Sequence, residues 1–193
     1  MTHHIMVLGI GNILFSDEGF GIRVVEKLYD LYEFPENVSL VDGGVLGLNL
    51  MGMISQADHL IVIDAIRNKG SAGDLYRLEG DAIPERIRAK NSLHQIDFLE
   101  ALTLCQALDK VPKTVILGVE PEDMETLSLE LTATIRGKID RVIDMVLAEL
   151  ELLGVADFEV KSKKSEACGN FYFSLSTFNS FKGTIDNVSC NTV

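Results

Sequence analysis

Four short apolar runs, Ile5–Ile10, Val38–Val41, His59–Ile63 and Lys113–Val119, are nearly unbroken and show no in-out alternation. A strand with one wetted face alternates, whereas a strand covered on both faces reads as a continuous apolar run, the habit of parallel sheets packed between helices. The segments between the runs supply those helices. Gly19–Leu31 sets Ile22, Val25, Leu28 and Tyr29 at helical spacing, and Leu46–Ile54 is apolar on most sides. Strands alternating with helices predict an α/β fold, a parallel sheet joined by right-handed crossovers. After Gly70-Ser71-Ala72-Gly73, Asp74–Leu78 reads as a short edge strand. A Pro-containing loop then leads to a helix from about Ser92, its N-cap, to Leu108. Leu127–Leu153 reads as largely helical, with Ile135, Ile139, Val142, Ile143, Val146, Leu147 and Leu150 on one stripe. The pattern makes residues 1–155 one domain. From residue 156 to 193, Ser, Asn, Lys and Phe dominate and neither period persists, so this stretch is expected to be a poorly ordered tail.

Charge and cysteine usage narrow the function classes. The 193 residues carry 17 basic and 29 acidic side chains, a net charge of −12, which disfavours nucleic acid and anionic membrane surfaces as partners. No apolar run approaches the roughly 18 residues of a membrane span. Met1-Thr2-His3-His4 leads straight into the first strand without the charged, apolar and small-residue regions of an export signal. The cysteines, Cys105, Cys168 and Cys190, are odd in number and lack metal-site spacing. A cytoplasmic protein is expected.

In an open parallel sheet, ligands collect beyond the carboxyl ends of the strands. Asp42 and Asp64 follow the second and third runs, Glu18 opens the first helix, and His94 opens a later one. Glu18, Asp64 and His94 together offer a divalent cation two carboxylates and one imidazole, a donor set suited to nickel, zinc and similar ions rather than to magnesium or calcium. Each residue also has a plainer explanation. Glu18 complements a helix dipole, Asp17 caps a helix, Asp42 before two glycines makes a turn, Asp64 caps a loop, and His94 sits on a helix surface. A competing pattern is Gly9-Ile10-Gly11-Asn12-Ile13-Leu14, which resembles the start of a dinucleotide-binding turn with Asp42 as the ribose-binding acid. Its third glycine position is Leu14, however, and Asp17 and Glu18 would set negative charge beside a pyrophosphate.

The longer combination Gly9-Ile10-Gly11-Asn12-Ile13-Leu14-Phe15-Ser16-Asp17-Glu18-Gly19-Phe20-Gly21 resembles the signature of the hydrogenase maturation proteases. The resemblance continues through Asp42-Gly43-Gly44, Ile61-Val62-Ile63-Asp64-Ala65, Ser92-Leu93-His94-Gln95 and Leu117-Gly118-Val119-Glu120-Pro121, over roughly the first 155 residues. It implies a three-layer sandwich with a twisted, mostly parallel five-stranded sheet flanked by helices. It implies an endopeptidase that removes the C-terminal extension of the nickel–iron hydrogenase large-subunit precursor after nickel insertion. The family's metal-binding positions fall on Glu18, Asp64 and His94. The nickel is presented by the substrate, and zinc or cadmium would suit the same ligands. Asp42, or Glu18 or Asp64 at the metal, would assist as base; a carboxylate pair of the aspartyl-protease kind would instead have to share a proton. A monomer acting on that precursor is expected. The alternatives are an α/β peptidase with another substrate, or a nickel- or nucleotide-binding module without peptidase activity. Val45 stands where the family often has Thr, and the stretch beyond residue 155 has no counterpart in it.

Overall fold

The computed structural model describes residues 3–44, 51–80 and 111–161. The expected helix from Ser92 to Leu108, the first residues of the one starting at Leu46, and residues 162–193 lie outside the described residues. Strand β1 (Ile5–Ile10) is followed by a single 3-10 turn (Ser16–Gly19) and helix α1 (Phe20–Leu31). Next come β2 (Tyr32–Glu33), β3 (Val38–Gly44), α2 (Met51–Ile54), β4 (His59–Ala65), β5 (Leu75–Glu79) and β6 (Lys113–Val119). Helices α3 (Ala133–Arg136) and α4 (Ile139–Leu152) and strand β7 (Glu159–Val160) complete the order.

The five-stranded sheet runs β3-β1-β4-β6-β5. Four strands are parallel, and β5 pairs antiparallel with β6 at the edge. The apolar runs are the central strands: every residue of β1 is buried, as are six of the seven in β4. Alternation along each strand divides the core between two faces. Met6, Leu8, Ile10, Leu60, Val62 and Ile116 pack with Ile54 of α2 on one face. On the other, α1 lies against β1, β3 and β4, burying Phe20, Ile22, Val24, Val25 and Leu28, and packs on α4. At roughly 1.5–3 kcal/mol for each large apolar side chain withdrawn from water, these layers account for the sheet's two dry faces.

The segment Leu127–Leu153 differs from its expected helix. Residues 127–132 are not helical, because their main chain is drawn to the turn after β1: Ser128 N–H donates to the Leu14 carbonyl and Ser16 N–H to the Ser128 carbonyl. Thr132 then caps α3, its Oγ1 accepting from Ile135 N–H, and Gly137 separates α3 from α4. From Ile135 onward the apolar stripe follows the expectation, with Ile135, Val142, Ile143, Val146 and Leu150 buried and Ile139 and Leu147 half-buried at its margin. One charged residue interrupts it: Glu149, 8% exposed, takes a two-pronged ion pair at 2.5 and 3.1 Å from Arg77 of the edge strand.

The compact unit runs to Lys161, with β7 pairing antiparallel to β2 and Phe158 packed against Tyr32 and Phe34. Among the described residues no helix is long and apolar enough to cross a membrane.

Helix α1 meets the sheet through two glycines that leave no room for side chains. A Cβ on Gly21 would lie 2.2 Å from the Ile63 carbonyl oxygen and 2.5 Å from that of Ile10, and one on Gly9 would lie 2.4 Å from the Gly21 carbonyl. These neighbours are backbone and cannot step aside as a flexible side chain would. Gly21→Ala is therefore expected to lower stability by about 3 kcal/mol, the upper end for overpacking a well-filled interior. Urea unfolding followed by circular dichroism measures it, and an unchanged midpoint would contradict the close approach.

Candidate active site

Glu18 and Asp64 reach the carboxyl rim of the sheet by different routes. Asp64 is the penultimate residue of β4, 3% exposed, with Gly118 opposite it on β6. Glu18 lies in the 3-10 turn, which packs on β4, and Gly21 one turn later presses on the carbonyls of Ile10 and Ile63. The start of α1 is thereby seated where β1 and β4 end, beside the residue that precedes Asp64. Burial raises the Glu18 carboxyl above its ordinary value of 4.5.

Asp42 lies on the edge strand β3, exposed, in register with Gly9, which is in turn in register with Ile63. The row Asp42, Gly9, Ile63 faces α1, so Asp64, one residue further, projects to the opposite face. The two aspartates also stand two strand spacings apart, about 10 Å. This is not the arrangement of two carboxylates sharing a proton. Asp42 Oδ1 accepts from Gly44 N–H at 2.9 Å, and the Gly44 carbonyl accepts from Gly11 N–H at 3.0 Å. Asn12 N–H donates to the Glu18 carbonyl, so a short chain of main-chain contacts joins the Asp42 turn to Glu18. His94 lies outside the described residues. Among the described residues no three His, Cys, Asp or Glu side chains gather as a metal site.

Two carboxylates that sequence reasoning did not assign to the site hold its loops. Asp17, read as a helix cap, does not cap α1: Gly19 occupies the N-cap and makes no side-chain cap bond. Its fully buried carboxylate instead accepts from Glu122 N–H (2.9 Å), Asp123 N–H (2.8 Å), Thr132 N–H (2.8 Å) and Thr132 Oγ1 (3.1 Å). This fastens both ends of the 122–132 loop to the residue next to Glu18. Glu120, 6% exposed, plays the matching part after Asp64. Its Oε2 accepts from Asn68 N–H, Gly70 N–H and Tyr76 Oη at 2.6, 3.2 and 2.6 Å, fixing the loop that leaves β4. The Tyr76 hydroxyl is pushed up to about 12 by burial first and by the Glu120 hydrogen bond second, so it stays a donor throughout the physiological range. The available signal for Glu120 was its place after an apolar strand and before a proline. For Asp17 the partners are more than a hundred residues away in sequence, and no local pattern announces them.

The glycines of the dinucleotide-like motif are used by the chain itself. Gly11 has φ +138°, and a Cβ there would lie 1.9 Å from the Glu18 carbonyl oxygen. The closeness that a phosphate-binding loop reserves for pyrophosphate is here filled by backbone.

Fold and rim define an α/β protein that sets Glu18, Asp42 and Asp64 along the carboxyl-end rim of a parallel sheet. The family model for HycI, hydrogenase maturation protease, matches residues 22–149. The hydrogenase expression/formation protein HupD of Bradyrhizobium diazoefficiens is 41% identical over 155 residues, covering 79% of this chain and 81% of its own. The hydrogenase 2 maturation protease of Escherichia coli is 39% identical, covering 78% and 93%. The solved structure of the hydrogenase maturating endopeptidase HybD from E. coli superposes with a TM-score of 0.79 at 36% identity, over 82% of this chain and 98% of that one. This chain belongs to the hydrogenase maturation protease family, and it is an endopeptidase.

Two outcomes test the site's construction. Asp17→Asn keeps the size but sets an amide among backbone donors, and is expected to cost about 3 kcal/mol in urea unfolding, since buried donors lose a charged acceptor. For Glu18 the sign follows from burial. With its folded-state pKa raised, the ionised form opposes folding; that penalty is full above the raised pKa and vanishes below 4.5. Wild type should therefore gain stability relative to Glu18→Gln as pH falls from 7 towards 4. A difference that stays constant over that range would contradict the desolvated carboxyl.

Proposed function

We propose that this endopeptidase removes the C-terminal extension of the nickel–iron hydrogenase large-subunit precursor, and does so after nickel has entered that subunit. The observation that carries the reading is the seating of the Glu18 turn on the ends of β1 and β4, next to buried Asp64, in a chain of this family. Two carboxylates held on a rigid rim, with His94 as the third donor, form an incomplete coordination shell. An incomplete shell suits a metal already held by another molecule better than a free ion that needs its full ligand set. The nickel is substrate: its presence in the precursor completes the docking surface, and an unloaded precursor lacks that contact. Zinc or cadmium would be accepted by the same donor set.

Glu18 and Asp64 then act at the metal and beside the scissile bond. Asp42, exposed at the rim and steadied by Gly44 N–H, serves as the assisting base. The separation of Asp42 from Asp64 favours this division of labour over an aspartyl-protease pair. The reaction takes place in the cytoplasm, with the enzyme a monomer against one folded precursor.

Intact-mass analysis of purified precursor, with and without nickel, tests the proposal. A single C-terminal loss in the nickel-loaded sample alone is the expected result; equal cleavage of both samples would remove nickel recognition, and cleavage of neither would remove the assigned substrate. Glu18→Gln, Asp64→Asn and His94→Ala should each reduce processing by at least about a hundredfold while far-ultraviolet circular dichroism stays native.

A further inference from the structure

Four of the large exposed apolar side chains fall on two segments that the Asp17 clamp joins. Ile13 and Leu14 precede the Glu18 turn, and Leu127 and Leu129 lie in the 122–132 loop; they are 36%, 50%, 75% and 58% exposed. A parallel bridge between Phe15 and Ser128 sets the register, with Ser128 N–H donating to the Leu14 carbonyl and Ser16 N–H to the Ser128 carbonyl. Leu14 and Leu127 are therefore neighbours on the same side of that bridge. Ser128 Oγ accepts from Glu130 N–H, so the chain bends just after the bridge and leaves the Leu129 side chain at the surface. Among the described residues, neither Leu127 N–H nor Leu129 N–H makes a hydrogen bond, while the Leu129 carbonyl accepts from Arg23. Exposed leucines beside main-chain amides with no partner among the described residues are features that an extended peptide uses when it docks along an edge.

The loop's own charged side chains are all acidic. Between Pro121 and Glu130 the chain carries Glu122, Asp123, Glu125 and Glu130 and no Lys or Arg. Arg67 and Arg136 approach Glu125 and Glu130 only at 3.8 and 3.7 Å, with all four side chains more than half exposed, and such pairs contribute little. With Arg23 at the Leu129 carbonyl as the third arginine, the four acidic side chains still outnumber the basic ones that reach this edge.

We propose that the Ile13–Leu14 and Leu127–Leu129 edge binds an extended segment of the protein substrate that carries apolar side chains flanked by basic ones. It feeds that segment to the Glu18 rim. The inference rests on the processing activity proposed above and names the part of the substrate surface, besides the metal, that is recognised. Asp17 couples the two sites, since the same buried carboxylate fixes the 122–132 loop and adjoins Glu18.

Steady-state processing of nickel-loaded precursor, read by intact mass, tests the assignment with the full chain. The doubly substituted Leu127→Ser/Leu129→Ser protein and, on the other segment, Leu14→Ser are expected to raise KM by about tenfold or more, with kcat within about twofold of wild type. Leu152→Ser, equally exposed but on α4, should leave both unchanged. Glu125→Lys should raise KM more at low salt than at high. Unchanged KM in the leucine variants, or a fall in kcat alone, would overturn the docking edge while leaving the activity standing. Precursor left whole by wild type would overturn the activity and this edge with it. A dimer by light scattering that Leu127→Ser/Leu129→Ser disperses, with KM unchanged, would assign the edge to a second copy of the chain instead.

Discussion

A carboxylate with no exposed surface needs several donors to hold its charge, and Asp17 takes all of its described ones from one distant loop. Hydrogen bonds to a charged acceptor contribute roughly 1.5–3 kcal/mol each, and the same carboxylate left without them would be among the costliest groups in the interior. The bond set is therefore nearly all-or-none. Either the 122–132 loop is folded onto the turn after β1 or Asp17 is not buried. Glu18 follows directly in the chain, and its own carbonyl is fitted to Gly11. The direction in which Glu18 leaves the backbone is set by contacts on both sides of it.

The second half of the site repeats this construction. Asp64 ends a buried strand, and the loop that follows is tied by Glu120 through two backbone amides and a tyrosine hydroxyl. Each candidate metal-binding carboxylate thus has a neighbouring buried carboxylate that orders the loop beside it. Glycines complete the arrangement from beneath: Gly9 and Gly21 bring α1 closer to the strands than any side chain would permit. The apolar layers supply the general stability, while these polar and steric contacts choose where the rim residues stand.

Much of this was legible in the sequence because it depends on local pattern. The continuous apolar runs at Ile5–Ile10 and Lys113–Val119 are strands with the expected ends, while those at His59 and Val38 continue past their expected ends, to Ala65 and Gly44. The β5 edge strand is displaced by one residue from its expected position. What could not be read depends on partners remote in sequence. Leu127–Leu131 carries helix-compatible residues, yet Phe15, Ser16 and Asp17 claim its main chain first. Asp17 at the start of a helix looks like any cap until the 122–132 loop is in place. The opposite faces taken by Asp42 and Asp64 follow from sheet register, which spacing along the chain does not contain.

The proposed processing depends on rim carboxylates completing the coordination of a metal carried by another molecule. Nickel-edge X-ray absorption of the nickel-loaded precursor, alone and frozen in complex with this protein within the first turnover, examines that contact itself. Added oxygen or nitrogen neighbours at nickel in the wild-type complex, reduced with Glu18→Gln or Asp64→Asn, are the expected result. A nickel spectrum that complex formation leaves unchanged would contradict it.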